Sequence, residues 1–429
     1  MIQKPKGTVD ILPGQVETWQ YIEQTARDIL HRYRFFEIRT PLFESYDLFS
    51  RGVGETTDVV TKEMYDFHDK GDRHIALKPE GTAPIVRAYV ENKLFGPEHV
   101  KPYKVYYMGS MFRYERPQSG RQRQFNQLGV EVFGGESAET DVETIALAID
   151  ILNALKVSDF KLVINSLGTP ETRKEYRDKL VAYLEPYFDE LSEDSKSRLY
   201  QNPLRVLDSK DARDIEIVAD APSILDSLSE ESQKRFEDVQ QLLTALDIPF
   251  EIDSNMVRGL DYYQETIFEI MTNEETYGTE TTICGGGNYN GLVAELSDGK
   301  QQVPGFGFAI GMERLILLME SQGISVPAQH PLDVYVVNFG EETTAAATQV
   351  MQKVRHAGYS CDRDFFNRKP RKQFKEADKL AADLVITIGQ DEIDHDEIQV
   401  KNMATGEQNA FPLQQFLTDF GSIYQQMTN

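Results

Sequence analysis

The sequence predicts an α+β domain carrying a helical insertion, followed by a small C-terminal α/β domain. Three observations support that reading. Two strand-like runs at 105–114 and 126–133 enclose a polar loop, and strand-rich sequence returns at 262–271 and 281–284. Between about 170 and 247 the chain is charged and mostly helical in character, with Tyr176, Leu180, Tyr183, Leu184 and Phe188 on one face. After SQGISVPAQHP (321–331), a stretch of linker composition, strands and helices alternate as they do in an α/β layer.

The elements follow in order. Helical spacing at 19–33 leads into RYRFFEIRTPLFES, a β-rich run broken by Pro41. A strand at 74–78 meets Pro79 and then Glu80-Gly81-Thr82, where Thr82 is the expected N-cap of a helix holding Pro84 in its first turn. Beyond the hairpin, Thr140 and Glu143 form a capping-box pattern, and Val142, Ile145, Ile149 and Leu152 make an apolar stripe. CGGGNYNGL reads as a glycine corner before a helix, and PGFGFAIG runs into a helix at Met312. The last domain should hold a strand at 333–337, a helix at 343–356 closed by Gly358 and a strand at 359–361. A basic helix, a strand at 384–388, a hairpin through Thr405-Gly406 and a final helix complete it.

Composition narrows the function. The chain has 429 residues, 40% hydrophobic and 27% charged, enough for two or three cored domains. Its apolar runs fall far short of the ~20 residues of a membrane span, and MIQKPKGTVDILPG lacks the apolar core of a secretory signal. Cys284 and Cys361 are the two cysteines and lie far apart, so neither a disulfide framework nor a Cys-based metal site is expected. A cytoplasmic protein is the expectation. The net charge of −25 argues against indiscriminate nucleic-acid binding. It leaves room for local basic islands, because screening limits a charge to about 10 Å at ordinary salt. Two such islands stand out. Residues 111–134 hold four arginines, and 363–379 hold seven basic and three acidic residues.

Strand alternation sets Leu128, Val130 and Val132 on one face of the hairpin and Gln127, Gly129 and Glu131 on the other. The second face is polar, and its glycine permits close approach to the backbone. Arg113 and Glu115 share a face of the preceding strand, and a turn near Gly120 would set Arg113 roughly opposite Gln127. Arg258 sits beside a glycine ahead of Tyr262 and Tyr263, and GFGFAIGMERL carries Arg314 in a helix's first turn, where a cation needs an anionic partner. Each feature alone also fits a surface ion pair, a helix cap or core packing. No P-loop, Rossmann fingerprint, H-E-x-x-H or G-x-S-x-G occurs. Any phosphate would therefore be held by the separate guanidinium forks of Arg113, Arg258 and Arg314.

Taken together these segments resemble a known family. Phe112–Glu115 with its long loop is similar to motif 2 of class II aminoacyl-tRNA synthetases, GFGFAIGMERL to their motif 3, and the run through Pro41 to motif 1, the dimer-interface element. RGLDYY and GGGNYNGL resemble the two signatures of histidyl-tRNA synthetases, and LKPEGT and RQFNQLGVEVFG match that family too. The resemblance implies a class II antiparallel sheet with flanking helices over 1–325, a linker at 326–331 and an anticodon-binding α/β domain over 332–429.

It also implies roles. Arg113 would contact the ATP α-phosphate, Glu115 the adenine end, Phe125 the base and Arg314 the γ-phosphate. Glu80, Gly81, Thr82 and Gln127 would bind the histidine amino group. Glu131, Tyr263, Tyr262 and Tyr289 would shape the imidazole pocket, and Arg258 would neutralise the histidine carboxylate and the α-phosphate. Arg116, Gln118, Arg121 and Arg123 would face the tRNA acceptor end. Arg371 and Lys372, with Arg363, Arg368, Lys369 and Lys375, would meet the anticodon stem-loop, where Phe365 and Phe366 could stack on bases. ATP would bring Mg²⁺ on its phosphates, with no dedicated protein metal site, and the chain would act as a homodimer. The family commonly shows G-R-Y-D-G-L where this chain has Asn288 and Asn290, so no role is assigned to Asn288. The rival reading is a catalytically idle relative, either a regulatory subunit or a sensor. A regulatory subunit typically lacks the last domain, which is present here, and a sensor is expected to have damaged ATP-handling positions, whereas Arg113, Glu115 and Arg314 are intact.

Overall fold

The computed structural model describes residues 1–55, 57–272, 281–327 and 332–428. The chain divides into two compact units, Met1–Val326 and Pro327–Asn429. Residues 328–331 of the expected linker lie outside the described residues.

Among the described residues the first unit is built on an eight-stranded sheet. Its order is Phe36–Glu37, Tyr103–Phe112, Gln124–Phe133, Gly305–Gly311, Thr281–Asn288, Gln264–Thr272, Phe160–Ser166 and Glu251–Ile252. The central pairings are antiparallel, and the short strand at each edge pairs in parallel. The alternation read from the hairpin holds. Leu128, Val130 and Val132 bury in one core, with Ile22 and Leu30 of helix Val16–Arg32 and Val142 and Ile145 of helix Ala138–Ala154. Val105, Tyr107 and Met111 bury in a second core on the opposite face, with Ala83 and Val86 of helix Thr82–Glu91.

Several local expectations change. Gly109 pairs with Gln127, and Phe112 with Gln124, so Arg113 stands opposite Arg123, whose carbonyl accepts its N–H at 2.9 Å. The turn at Gly120 (φ 70°) closes Gln118 against Arg121, a pairing offset by three residues from the register of the two strands. Thr82 is the first residue of its helix rather than the cap; the Glu80 carboxylate accepts the Thr82 and Ala83 N–H groups, both at 2.8 Å. Ser137, not Thr140, precedes helix Ala138–Ala154. The glycine corner is strand: Thr281–Asn288 runs straight through Gly285, Gly286 and Gly287.

The insertion lies between two strands that pair in parallel, Phe160–Ser166 and Glu251–Ile252. Its helices run from Pro170–Leu184 to Glu230–Ala245, with Tyr176, Leu180 and Leu184 buried as their spacing predicts. The Asp214 carboxylate ties it internally, accepting hydrogen bonds from Ser192, Ser195 and Ser209. Either side of Pro41, the chain forms Phe36–Glu37 and Phe43–Ser45. The latter joins His74–Leu77 and Asp66–His68 in a three-stranded sheet. Phe36, Leu42, Phe43 and Phe67 are exposed there.

The second unit has a five-stranded sheet in the order Cys361–Arg363, Val334–Asn338, Leu384–Ile388, Glu397–Asn402 and Gln408–Pro412. The first three strands are parallel and the last two antiparallel. Helices Thr344–His356 and Pro370–Lys379 lie where the sequence places them, whereas the final helix is two, Leu413–Thr418 and Phe420–Thr428.

Gly129 admits a close neighbour, as expected, but that neighbour is internal. A methyl there would lie 2.3 Å from the Tyr107 ring, which also crowds Gly81 at 2.2 Å. The buried ring has nowhere to move. Gly129→Ala is therefore expected to cost about 1–3 kcal/mol by overpacking. A lower urea midpoint, followed by fluorescence of the single tryptophan, Trp19, checks it.

Candidate active site

The polar face of the hairpin forms the floor of a buried cluster. Glu131 is 1% exposed. Its Oε1 accepts the Thr82 hydroxyl at 2.7 Å and its Oε2 the Tyr289 hydroxyl at 2.5 Å. Burial pushes its pKa up to about 8, with the nearby Glu80 charge adding to the rise and the two hydroxyls opposing it. The carboxyl can lie flat because the next strand presents Gly307, where a methyl would lie 2.1 Å from Oε2.

Glu80 is also buried, and burial raises its pKa against the two helix N–H groups it accepts. The Tyr262 hydroxyl reaches it at 3.2 Å. Tyr262 packs edge-on to Tyr289 and against Tyr263, so three phenols and two carboxyls share one enclosure. In it the Glu80 oxygens cap the helix and Thr82 donates to Glu131, so these groups preorganise one another.

Arg258 lies across Gly285, where a methyl would come within 2.5 Å of the guanidinium. It pairs with Glu269, which also accepts the Thr282 hydroxyl. Burial works against the Arg258 charge, but Glu269 and the tyrosines outweigh it and raise its pKa. The guanidinium sits 5.6 Å from the Tyr263 ring centre. Its Nε is buried without a hydrogen-bond partner among the described residues, as is Gln127 Oε1. Buried polar atoms rarely remain unpaired, so both are places where a polar ligand would be satisfied.

Further along the hairpin, Arg113 Nε donates to the Pro79 carbonyl at 2.9 Å, and its guanidinium stacks 5.4 Å from the Phe125 ring centre. Glu115 is 3.6 Å from Arg121. Arg314, in the first turn of helix Met312–Ser321, donates to the Thr282 carbonyl, which joins motif 3 to the strand beside Glu269. Glu313 accepts the Asn126 N–H and amide, binding the same helix to the hairpin.

The basic islands divide into held and exposed groups. Arg116, Gln118 and Arg121 are exposed on the loop. Arg123 is held, over the Tyr114 ring at 3.8 Å, donating to the Glu115 carbonyl and covered by Gly7. In the second unit Arg363 and Arg368 are anchored by Thr348 and by Asp364 with Glu376. Arg371, Lys372, Lys375, Phe365 and Phe366 are exposed. The two departures at the second signature are built in: Asn288 Oδ1 accepts the Asn290 N–H at 3.2 Å, and Asn290 Oδ1 accepts the Gly305 N–H at 3.3 Å.

Sequence reasoning missed Tyr107, Glu269 and Thr282. Glu269 had a signal: it alternates with Phe268 and Ile270, so an acid stands on the face away from their core.

A family model described as histidyl-tRNA synthetase matches residues 7–315, and one described as an anticodon binding domain matches 333–421. The chain belongs to the histidyl-tRNA synthetase family. It is 58% identical over 422 residues to a histidine–tRNA ligase of Latilactobacillus sakei, covering 98% of this chain and 97% of the relative. It is 59% identical over 407 residues to that of Lactiplantibacillus plantarum, covering 95% of each. It superposes on the apo histidyl-tRNA synthetase of S. aureus with a TM-score of 0.83 at 41% identity, covering 100% of both chains. The fold is that of the class II synthetases of this family, with its antiparallel catalytic sheet and C-terminal anticodon-binding domain.

The raised Glu131 pKa makes a signed prediction. A carboxyl that keeps its proton in the folded state contributes stability that is complete below its ordinary value of 4.5 and lost as pH rises to about 8. Glu131→Gln removes that titration. The stability of Glu131→Gln relative to the parent should therefore increase with pH across this window, measured by urea unfolding at several pH values.

Proposed function

We propose that this chain attaches L-histidine to its tRNA in two steps, through a histidyl-adenylate. A histidine carboxylate oxygen attacks the α-phosphorus of ATP, a new P–O bond forms, and the bond to the bridging oxygen breaks to release pyrophosphate. A ribose hydroxyl of the terminal tRNA adenosine then attacks the activated carbonyl and AMP leaves. The observation that carries the reading is the joining, in one enclosure, of a buried acid at Glu131 with the Arg258 guanidinium and its unpartnered Nε.

Each group has a task that suits its chemistry. Glu131, in its Thr82 and Tyr289 hydrogen bonds, reads one imidazole nitrogen, with Tyr262 and Tyr263 as walls; an isostere without that nitrogen leaves a buried acid unpaired. Glu80, Gly81, Thr82 and Gln127 line the amino end. Arg258 and Arg113 offset the charges of the carboxylate and α-phosphate and stabilise charge that builds at phosphorus. Glu115, Phe125 and Arg314 bind the remainder of ATP, which enters with Mg²⁺ held by its phosphates. Arg116, Gln118 and Arg121 serve the acceptor end, with Arg123 bracing the loop that carries them, and Arg371 and Lys372 the anticodon end. No side chain is required as nucleophile; positioning and electrostatics suffice.

The exposed Phe36, Leu42, Phe43 and Phe67 support a homodimer through the motif 1 region. Its use of ATP, histidine and tRNA supports a cytoplasmic enzyme. Nothing favours the idle relative, because Arg113, Glu115, Arg314 and the second unit are present.

ATP–pyrophosphate exchange, run separately with each amino acid, is expected to respond to histidine. Exchange driven by a different amino acid overturns the assignment. Arg258→Ala should lower histidine-dependent exchange by about two orders of magnitude or more, the scale of losing a transition-state charge partner, with circular dichroism unchanged; near-normal exchange would remove its role.

A further inference from the structure

Among the described residues, Asp261 gives the helical insertion a directed polar link to the active-site cluster. Asp261 directly precedes Tyr262 and Tyr263, and it is bonded on three sides. Arg173, on the insertion helix Pro170–Leu184, donates from Nη1 to the Asp261 carbonyl at 3.1 Å. Asn202, also of the insertion, donates from Nδ2 to Asp261 Oδ1 at 2.9 Å. From the catalytic core, the Val53 carbonyl accepts the Asp261 N–H at 3.1 Å, at the end of helix Tyr46–Val53.

The next two residues belong to the pocket. The Tyr262 hydroxyl reaches Glu80, and Tyr263 lies beside the Arg258 guanidinium. From Arg173 to the Glu80 carboxyl there is thus an unbroken run of hydrogen bonds and one peptide link. The Nε of Arg173 is buried with no partner among the described residues, so its bond to the Asp261 carbonyl is a principal polar contact of this guanidinium.

The joint borders an open cleft of about 410 Å³, lined by Asp58, Lys62, Arg198, Asn202, Arg205 and Gly259, among others. The Arg198–Asp58 pair, at 3.0 Å, lines it. Beneath it the insertion shares an apolar core with the pocket: Tyr176 and Leu180 bury in one cluster with Val53, Tyr262 and Tyr263, so the polar contacts at Asp261 are directed links added to that packing.

We propose that Asp261 is a positioning residue, through which Arg173 and Asn202 of the insertion set the placement of Tyr262 and Tyr263 in the histidine pocket. The inference rests on the function proposed above and gives the insertion a part in amino-acid binding. Loosening either contact lets the tyrosine pair shift. Histidine then binds less well, while ATP, held by groups on the hairpin and motif 3, binds as before.

The test is a double-mutant cycle in histidine-dependent ATP–pyrophosphate exchange on the full chain. Arg173→Met keeps most of the side-chain volume and removes the donor; Asn202→Ala removes the second contact. Each should raise the histidine KM about tenfold, the scale of one lost hydrogen bond to a charged group, and leave the ATP KM unchanged. Arg173→Lys should recover part of the loss. Combined with Tyr262→Phe, Arg173→Met should add less than its separate effect, because both act through the same phenol. Thermal melts accompany each variant. Equal rises in both KM values, or fully additive effects, would reduce the contact to a fold-stabilising one and overturn the proposal. Failure of the parent enzyme to exchange with histidine would instead overturn the function itself.

Discussion

A carboxyl group with no water around it has to be bonded, neutralised or both, and Glu131 sets that condition for the whole site. Its neighbours meet it. Thr82 comes from a helix start, Tyr289 from the end of a strand and Gly307 from the adjacent strand, so three separate segments must be in place before the acid can be buried. Burial is what raises the Glu131 pKa, with the neighbouring Glu80 acid reinforcing it. The geometry that satisfies one buried acid therefore also builds a buried polar enclosure.

The hairpin also explains how a chain of net charge −25 can serve a polyanion. Its strands turn Arg113 and Glu131 inward, while the loop leaves Arg116 and Arg121 exposed at the tip. In the second unit the split recurs. Arg363 and Arg368 are anchored by acids and hydroxyls, which leaves Arg371, Lys372 and two exposed phenylalanines on the surface. Cations are thus sorted locally into those that hold the fold and those that face outward. The acidic remainder of the surface would repel tRNA elsewhere, a matter of placement rather than total charge.

Much of this was legible in the residues, and what was not has physical reasons. Period-two alternation in NQLGVEVF assigned both hairpin faces, since a strand buried on two sides must segregate its apolar set. Helical spacing likewise placed Tyr176, Leu180 and Leu184 inward. Register was not readable: a turn near Gly120 is compatible with more than one strand pairing, and the strands pair so that Arg113 meets Arg123. The cap at Thr82 was misread because Glu80, two residues earlier, folds back onto the helix N–H groups, an option that local pattern does not distinguish. CGGGN reads as a corner on propensity, yet neighbouring strands on both sides hold it extended, and its missing side chains make room for Arg258. Tyr107 and Glu269 act through partners far away in sequence, which no single segment reveals. The residues that the family signatures mark, such as Glu80, Glu131, Tyr262 and Tyr289, make long-range contacts in the fold, and such contacts leave little local trace.

In the proposed function, Glu131 and Arg258 take opposite ends of one histidine molecule. A high-resolution crystal structure of the protein with bound histidine tests it directly. An imidazole nitrogen should lie about 3 Å from the Glu131 carboxyl, at hydrogen-bond distance, and the α-carboxylate should face the Arg258 guanidinium. A histidine bound with its ring away from Glu131, or with its carboxylate turned from Arg258, would contradict it.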